Sequence, residues 1–189
     1  QDRITAAITA EARKGRRVVR LKSGDPGVFG RATEEIEAAR AAGLPVDIVP
    51  GVTAACAAAA RLGRSLTERG VADTLVLTTG TGCPDAPRPD SPRVRLAGPT
   101  SAFYMSVRQA GRLSRKLMDK GVPGAAPVDI AADVSKPGET CMSSTIAGLA
   151  ADLRRHDITG CAVLLVTWPK AVVVGSDVTE GRFGQLAEA

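Results

Sequence analysis

With 189 residues and a net charge of +5 at neutral pH, the chain has room for one large or two small domains and an excess of positive charge that favours an anionic partner. Hydrophobic residues make up 44% and charged residues 24%, as in an ordinary globular protein, whereas aromatics at 3% leave a core of Ala, Val, Leu and Ile, the composition of helices packed closely on a buried sheet. Basic residues are not interleaved with aromatics, and the cysteines Cys56, Cys83, Cys141 and Cys161 form no CxxC pair. His156, the single histidine, lies in a charged helical stretch, and the longest apolar run, Cys161–Trp168, is far short of the ~20 residues that span a bilayer. The expectation is therefore no nucleic acid, no metal and no membrane. Scattered cysteines without a secretory segment point to a reducing, cytoplasmic setting, with Cys56 and Cys161 serving as small apolar residues.

Ile4, Ala7, Ile8 and Ala12 fall at helical spacing, and the pattern stops at Gly15. Val18, Val19 and Leu21 then read as a short buried strand. It breaks into Ser23-Gly24-Asp25-Pro26-Gly27, a glycine- and proline-punctuated loop with one carboxylate at the strand's carboxyl end, where open α/β sheets bind ligands. Gly27 and Gly30 flank Val28 and Phe29, which displays two apolar side chains on a permissive backbone. Thr33 is placed to cap a helix running to Arg40, with Glu34, Glu35 and Glu37 in its first turns. Val46–Val49 reads as a second short strand ended by Pro50-Gly51, after which Thr53 opens an alanine-dense helix to about Arg61, as a plain N-cap or also as a ligand contact.

The polar stretch 63–73 reads as a linker, dividing the chain into 1–70 and 71–189. Thr74–Thr79 returns to a strand pattern, and 82–100 is proline-rich and expected as a loop. Ser101–Met105 reads as a strand, Arg108–Lys120 as a basic helix, Val128–Ala132 and Cys141–Ser144 as strands, Ile146–Arg155 as a helix and Cys161–Val166 as the last strand. Met105 is either core filler or a soft, exposed ligand contact. No repeat is visible, so the fold class is α/β with two unlike lobes and a cleft between them as the natural site.

Two stretches carry a resemblance: RLKSGDPGVFGRATEE at residues 20–35 and VDIVPGVTAA at residues 46–55. Together they resemble the tetrapyrrole methylase family, and within it most closely the uroporphyrinogen-III C-methyltransferases. Phe103-Tyr104-Met105 and Cys161–Val166 match weaker downstream signals, so the resemblance runs over most of the chain. It implies transfer of a methyl group from S-adenosylmethionine to uroporphyrinogen III, a polycarboxylate, towards precorrin-2 in sirohaem or cobalamin synthesis. S-adenosylhomocysteine would be the product, and the enzyme a homodimer. The resemblance further implies that Ser23, Gly24, Asp25 and Val28 line the cofactor, that Thr53 and Ala54 contact it from the next helix start, and that Met105, Val134 and Ala162 close its other side. Phe29 and Arg31 would face the macrocycle.

The chain departs from the family pattern at Thr79-Gly80-Thr81 and at Ser65-Leu66-Thr67-Glu68-Arg69, where two family histidines are absent, and at Ala132-Asp133-Val134, where a family carboxylate is absent. It also opens at Gln1 inside a helix, without the family's GAGPGD-type loop or the acid and base attributed to that region. The expectation is an N-terminally incomplete methylase with a truncated first lobe, inactive by itself and with no catalytic residue to name. The alternatives are another precorrin methyltransferase, or a noncatalytic binding or assembly module of the same fold.

Overall fold

The structure, a computed structural model, describes residues 1–80, 98–168, 173–174 and 177–178. Its contacts divide the chain into two compact units, Gln1–Ala54 and Ala55–Ala189, so the 63–73 stretch lies inside the second.

In the first unit, helix α1 (Asp2–Arg13) precedes helix α2 (Ala32–Ala41). The two are tied through Glu35 on α2, whose carboxylate accepts hydrogen bonds from Gln1 Nε2 at 2.8 Å, Lys22 Nζ at 2.7 Å and Arg20 Nε at 3.2 Å. Helix α2 starts at Ala32, with Arg31 in the N-cap position at φ 53° and no side-chain cap, so Thr33 lies within the first turn and is not the cap expected for it. The strands expected at Val18–Leu21 and Val46–Val49 are not formed: both runs lie outside any described sheet. No backbone hydrogen bond joins either to another described residue, and Val19 and Leu21 are 71% and 80% exposed, Ile48 and Val49 57% and 80%. β-branched residues favour extension, but a strand also needs a neighbouring segment to take its N–H and C=O groups.

The second unit is a mixed five-stranded sheet in the order β1-β2-β5-β3-β4, formed by Thr74–Thr79, Pro99–Tyr104, Ala162–Thr167, Pro127–Ala132 and Thr140–Thr145. Strands β1 and β2 are parallel, and β5 runs antiparallel to both β2 and β3, so β1, β2 and β3 end at the same edge of the sheet. Strand β2 begins at Pro99 and ends at Tyr104. This moves Pro99 and Thr100 out of the expected loop and Met105 out of the expected strand; the rest of the loop reading at 82–97 and Cys83 lie outside the described residues. A further two-residue pair, β6 (Val173–Val174) with β7 (Asp177–Val178), is antiparallel.

Alternation along the strands sorts the residues onto two faces. Phe103, Leu164, Val166, Val128, Ile130 and Ala132 pack in one cluster with Ala110 and Leu117 of α4 (Ala110–Asp119) and Leu149 and Leu153 of α5 (Leu149–Arg155). A single 3₁₀ turn, Val107–Gln109, leads into α4, and α5 starts at Leu149 after a turn at Ile146–Gly148 in which the Gly148 amide donates to Thr145 Oγ1 at 3.0 Å. The opposite face carries Thr100, Ala102, Asp129, Ala131, Leu165 and Thr167. Helix α3 (Ala54–Arg61) reaches that face at both of its ends, through Ala55 to Tyr104 and through Arg64 to Asp129 and Thr167.

Arg64 latches the turn after α3 across four strands. Its Nη1 donates to the Asp129 carboxylate on β3 and its Nη2 to Thr167 Oγ1 on β5 at 2.5 Å. Thr167 in turn meets Thr100 Oγ1 on β2 at 3.0 Å, and Ser143 Oγ on β4 donates to Asp129 at 2.7 Å. The Arg64 and Asp129 side chains are 29% and 19% exposed, so removing the guanidinium leaves a partly desolvated carboxylate with one hydroxyl for a partner. Arg64→Met is expected to cost about 2 kcal/mol in urea unfolding. Arg64→Lys should recover less than half of that, because an ammonium cannot address Asp129 and Thr167 as one planar fork. Equal stability of all three proteins would show the latch to be without weight.

Candidate functional site

Within the first unit, the loop 23–31 and the turn Pro50–Thr53, far apart in sequence, are fastened by one carboxylate. Asp25 Oδ1 accepts the Gly27 amide at 2.8 Å and Oδ2 accepts the Gly51 amide at 2.9 Å. The fastening requires glycine at 51, since a Cβ there would sit 2.4 Å from the Gly24 carbonyl oxygen. Around it, a Cβ added at Gly24 would come into van der Waals contact with the Val52 carbonyl, the Thr53 α-carbon and the Ala54 amide. Ser23, Gly24, Asp25, Thr53 and Ala54 are thereby brought together. Ser23 and Gly24 are exposed, and Val28 is half-buried with its amide on Asp25 O at 3.2 Å.

Phe29 and Arg31 both have φ of 53°, in the left-handed region that costs a side chain roughly 1–2 kcal/mol. Phe29 is 41% exposed. The Arg31 guanidinium donates to both Glu34 oxygens, Nε at 2.8 Å and Nη2 at 2.7 Å, and holds the Glu34 carboxyl below its ordinary range.

The second group gathers at the sheet edge where β1, β2 and β3 end. Strand registry pairs Ala132 with Ala162 and Phe103 with Leu164, which sets Met105 and Val134, each one or two residues past a strand end, at the Ala162 end of β5. The Asp133 amide completes the edge by donating to Cys161 O at 2.9 Å. Met105, Asp133 and Ser135 all have left-handed φ, at 50°, 47° and 65°. Such strain persists only where surrounding structure enforces it, and it clusters at binding sites. Met105 is 51% exposed, so the core-filler reading does not hold for it. The turn after β3 is fixed by Glu139, whose carboxyl is held low by the Ser135 amide and by Arg61 of α3, and by Lys136 on Asp133 at 3.1 Å, which raises the Lys136 ammonium.

Tyr104 was not among the expected residues, although it stands in the Phe-Tyr-Met triplet. Its hydroxyl accepts the amide of Ala55 at 2.9 Å, and its carbonyl accepts both the Gly80 amide and Ser106 Oγ at 2.9 Å each. The signal was a polar aromatic at the last position of a buried strand, where a phenol needs a partner. Of the two cysteines read as small apolar residues, Cys56 lies on α3 and Cys161 just before β5, and both are exposed. A thiol is small and weakly polar enough to sit at a surface. Among the described residues no three His, Cys, Asp or Glu side chains come together as metal ligands, and no described helix is long and apolar enough to cross a membrane.

Residues 1–150 match the family model of the tetrapyrrole (corrin/porphyrin) methylases. The siroheme synthase of Gluconacetobacter diazotrophicus is 40% identical over 168 residues, which is 88% of this chain and 36% of that protein, so the chain spans about a third of the length of such curated relatives. Among solved structures, a uroporphyrin-III-C-methyltransferase from Thermus thermophilus is similar at TM-score 0.75 and 37% identity, over 88% of this chain and 71% of that one. A cobalt precorrin-4 methyltransferase, CbiF, is similar at TM-score 0.76 and 25% identity, over 87% and 70%. A Thermus thermophilus uroporphyrin-III C-methyl transferase complexed with S-adenyl homocysteine is similar at TM-score 0.72 and 29% identity, over 87% and 69%.

Proposed function

We propose, because this chain belongs to the tetrapyrrole methylase family, that it is the methyl-transfer part of an S-adenosylmethionine-dependent enzyme, with uroporphyrinogen III as substrate and precorrin-2 as product. The observation that carries the reading is the Asp25 fastening, which brings the two motifs of the family resemblance into one exposed loop cluster lined by backbone groups of Ser23, Gly24, Thr53 and Ala54. The cluster on the first unit fits the polar groups of a nucleoside thioether, with backbone amides and carbonyls and a carboxylate nearby; on the second unit, exposed Met105 offers a soft apolar surface for a flat ring. Val28, Val134 and Ala162 would complete the lining, and Phe29 and Arg31 would meet the tetrapyrrole. S-adenosylmethionine supplies an electrophilic methyl group. When bound, it would deliver that methyl to a nucleophilic pyrrole carbon and depart as the neutral thioether with the electron pair of the broken carbon–sulfur bond; the attacked carbon already carries a carboxylate side chain, so the balancing proton would leave from elsewhere on the macrocycle. Alignment of carbon, methyl and sulfur supplies most of the acceleration in such a reaction.

A second reading, another tetrapyrrole methyltransferase, is favoured by the absent family histidines at Glu68 and Thr81 and by the likeness to a cobalt precorrin-4 methyltransferase. Incubating the full-length protein with methyl-labelled S-adenosylmethionine and a panel of reduced tetrapyrroles distinguishes the two. Label in precorrin-2 supports the first reading, and label in another ring system supports the second. Cofactor binding without transfer to any of them would leave a noncatalytic module of this fold.

Met105→Ala is expected to weaken S-adenosylhomocysteine binding about 10-fold, the loss of one well-packed side chain against the ligand, with the unfolding midpoint nearly unchanged. Calorimetry and thermal unfolding on the same samples check both halves. A large fall in midpoint at unchanged affinity would return Met105 to a packing role.

A further inference from the structure

Within the second unit, the first turn of α3, at Ala55, and the corner after β2 that carries Met105 meet at Tyr104. We infer that Tyr104 is a positioning residue that holds Met105 and the first turn of α3 in one fixed relation for a bound nucleoside thioether, an inference that rests on the cofactor reading above. The phenol oxygen accepts the amide of Ala55, an orphan donor of the first helical turn that is itself fully buried, so no water can take its place. The peptide carbonyl of the same residue accepts from Gly80 at the end of β1 and from Ser106 beyond Met105.

Gly80 is pressed so closely on this corner that a Cβ there would lie 2.5 Å from Ser106 Oγ. Held on both sides, Met105 turns through a left-handed φ and is 51% exposed. A phenylalanine at 104 would fill the same space, with Tyr104 8% exposed, but would free the first turn of α3 to slide against the corner. The residue acts through others, so its signature is coupling and not contact.

The test is a double-mutant cycle in the full-length protein with Tyr104→Phe, Met105→Ala and the pair, reading S-adenosylhomocysteine affinity at a temperature where thermal unfolding finds every variant folded. Tyr104→Phe should weaken binding about 10-fold, and the double variant should bind far more tightly than the product of the two single losses predicts. Unchanged affinity in Tyr104→Phe, or losses that multiply, would overturn the inference while leaving the cofactor reading standing. If Tyr104→Phe does not fold, Ser106→Ala, which removes the hydroxyl bond to the Tyr104 carbonyl at the same corner, takes its place in the cycle under the same criterion. Absence of binding by the unaltered protein would defeat the cofactor reading and this inference together, and is read separately from the cycle.

Discussion

Asp25→Ala is expected to weaken S-adenosylhomocysteine binding about 100-fold, the largest loss from any one side chain described here. The carboxylate makes two charge-assisted bonds to backbone amides, and each such bond contributes on the order of 1.5–3 kcal/mol. One bond shapes the loop around Gly27, and the other clamps that loop to Gly51 and hence to the Thr53–Ala54 helix start. Without them the 23–31 loop, in which Phe29 and Arg31 hold left-handed conformations, would lose its anchorage to the 50–52 turn at Gly51. A carboxylate has lone pairs beyond those two bonds, so direct contact with the ligand adds to the effect and does not compete with it. Asp25→Asn, which keeps one acceptor oxygen, should lose about 10-fold. Calorimetry gives the affinities, and amide exchange at Gly27 and Gly51 reports the fastening. Faster exchange at unchanged affinity would make Asp25 a loop fastener with no part in binding.

The order of elements in the second unit was legible because its strands and helices satisfy local rules. Thr74–Thr79 and Pro127–Ala132 form strands near their expected limits, and the basic stretch after Ser106 forms a helix with its apolar residues on the core. What failed depended on neighbours. Val18–Leu21 has strand composition, yet pairing belongs to two segments and cannot be read from one. Ile146 continues a helical pattern, but it lies in a turn at the end of β4 with its amide tied to Ala126 O, and α5 begins only at Leu149. At the site, the two motifs placed Ser23–Asp25 and Thr53–Ala54 in one family pattern, while the carboxylate that joins them became visible only in the fold. Tyr104 escaped for a similar reason. Its partner, the Ala55 amide, is a backbone group, and a sequence names no backbone donor as special. Arg64 and Asp129 are each unremarkable on the chain and meaningful only as a pair across the sheet.

Glu35 is expected to account for about 3 kcal/mol of the stability that the first unit loses as the pH falls from about 5 to 2. Its side chain is 11% exposed, and burial pushes the carboxyl up. The bonds from Lys22, Gln1 and Arg20 outweigh that and hold it at about 2. In the unfolded chain a glutamate titrates at about 4.3. A carboxyl depressed in the folded state stabilises above the unfolded value, and the stabilisation drains away as protonation proceeds down through the folded value. The ion pair of Glu34 with Arg31, with side chains 46% and 60% exposed, is screened by water and should leave the acid profile almost unchanged when removed as Glu34→Gln. Glu35→Gln is different: it leaves the Lys22 ammonium, 11% exposed, without a counter-charge, so it should destabilise at pH 7 and flatten the profile below pH 5. Amide exchange along α1 and α2, followed from pH 7 to pH 2.5 in the parent and both variants, measures this. An acid slope that survives Glu35→Gln would place the titrating group elsewhere.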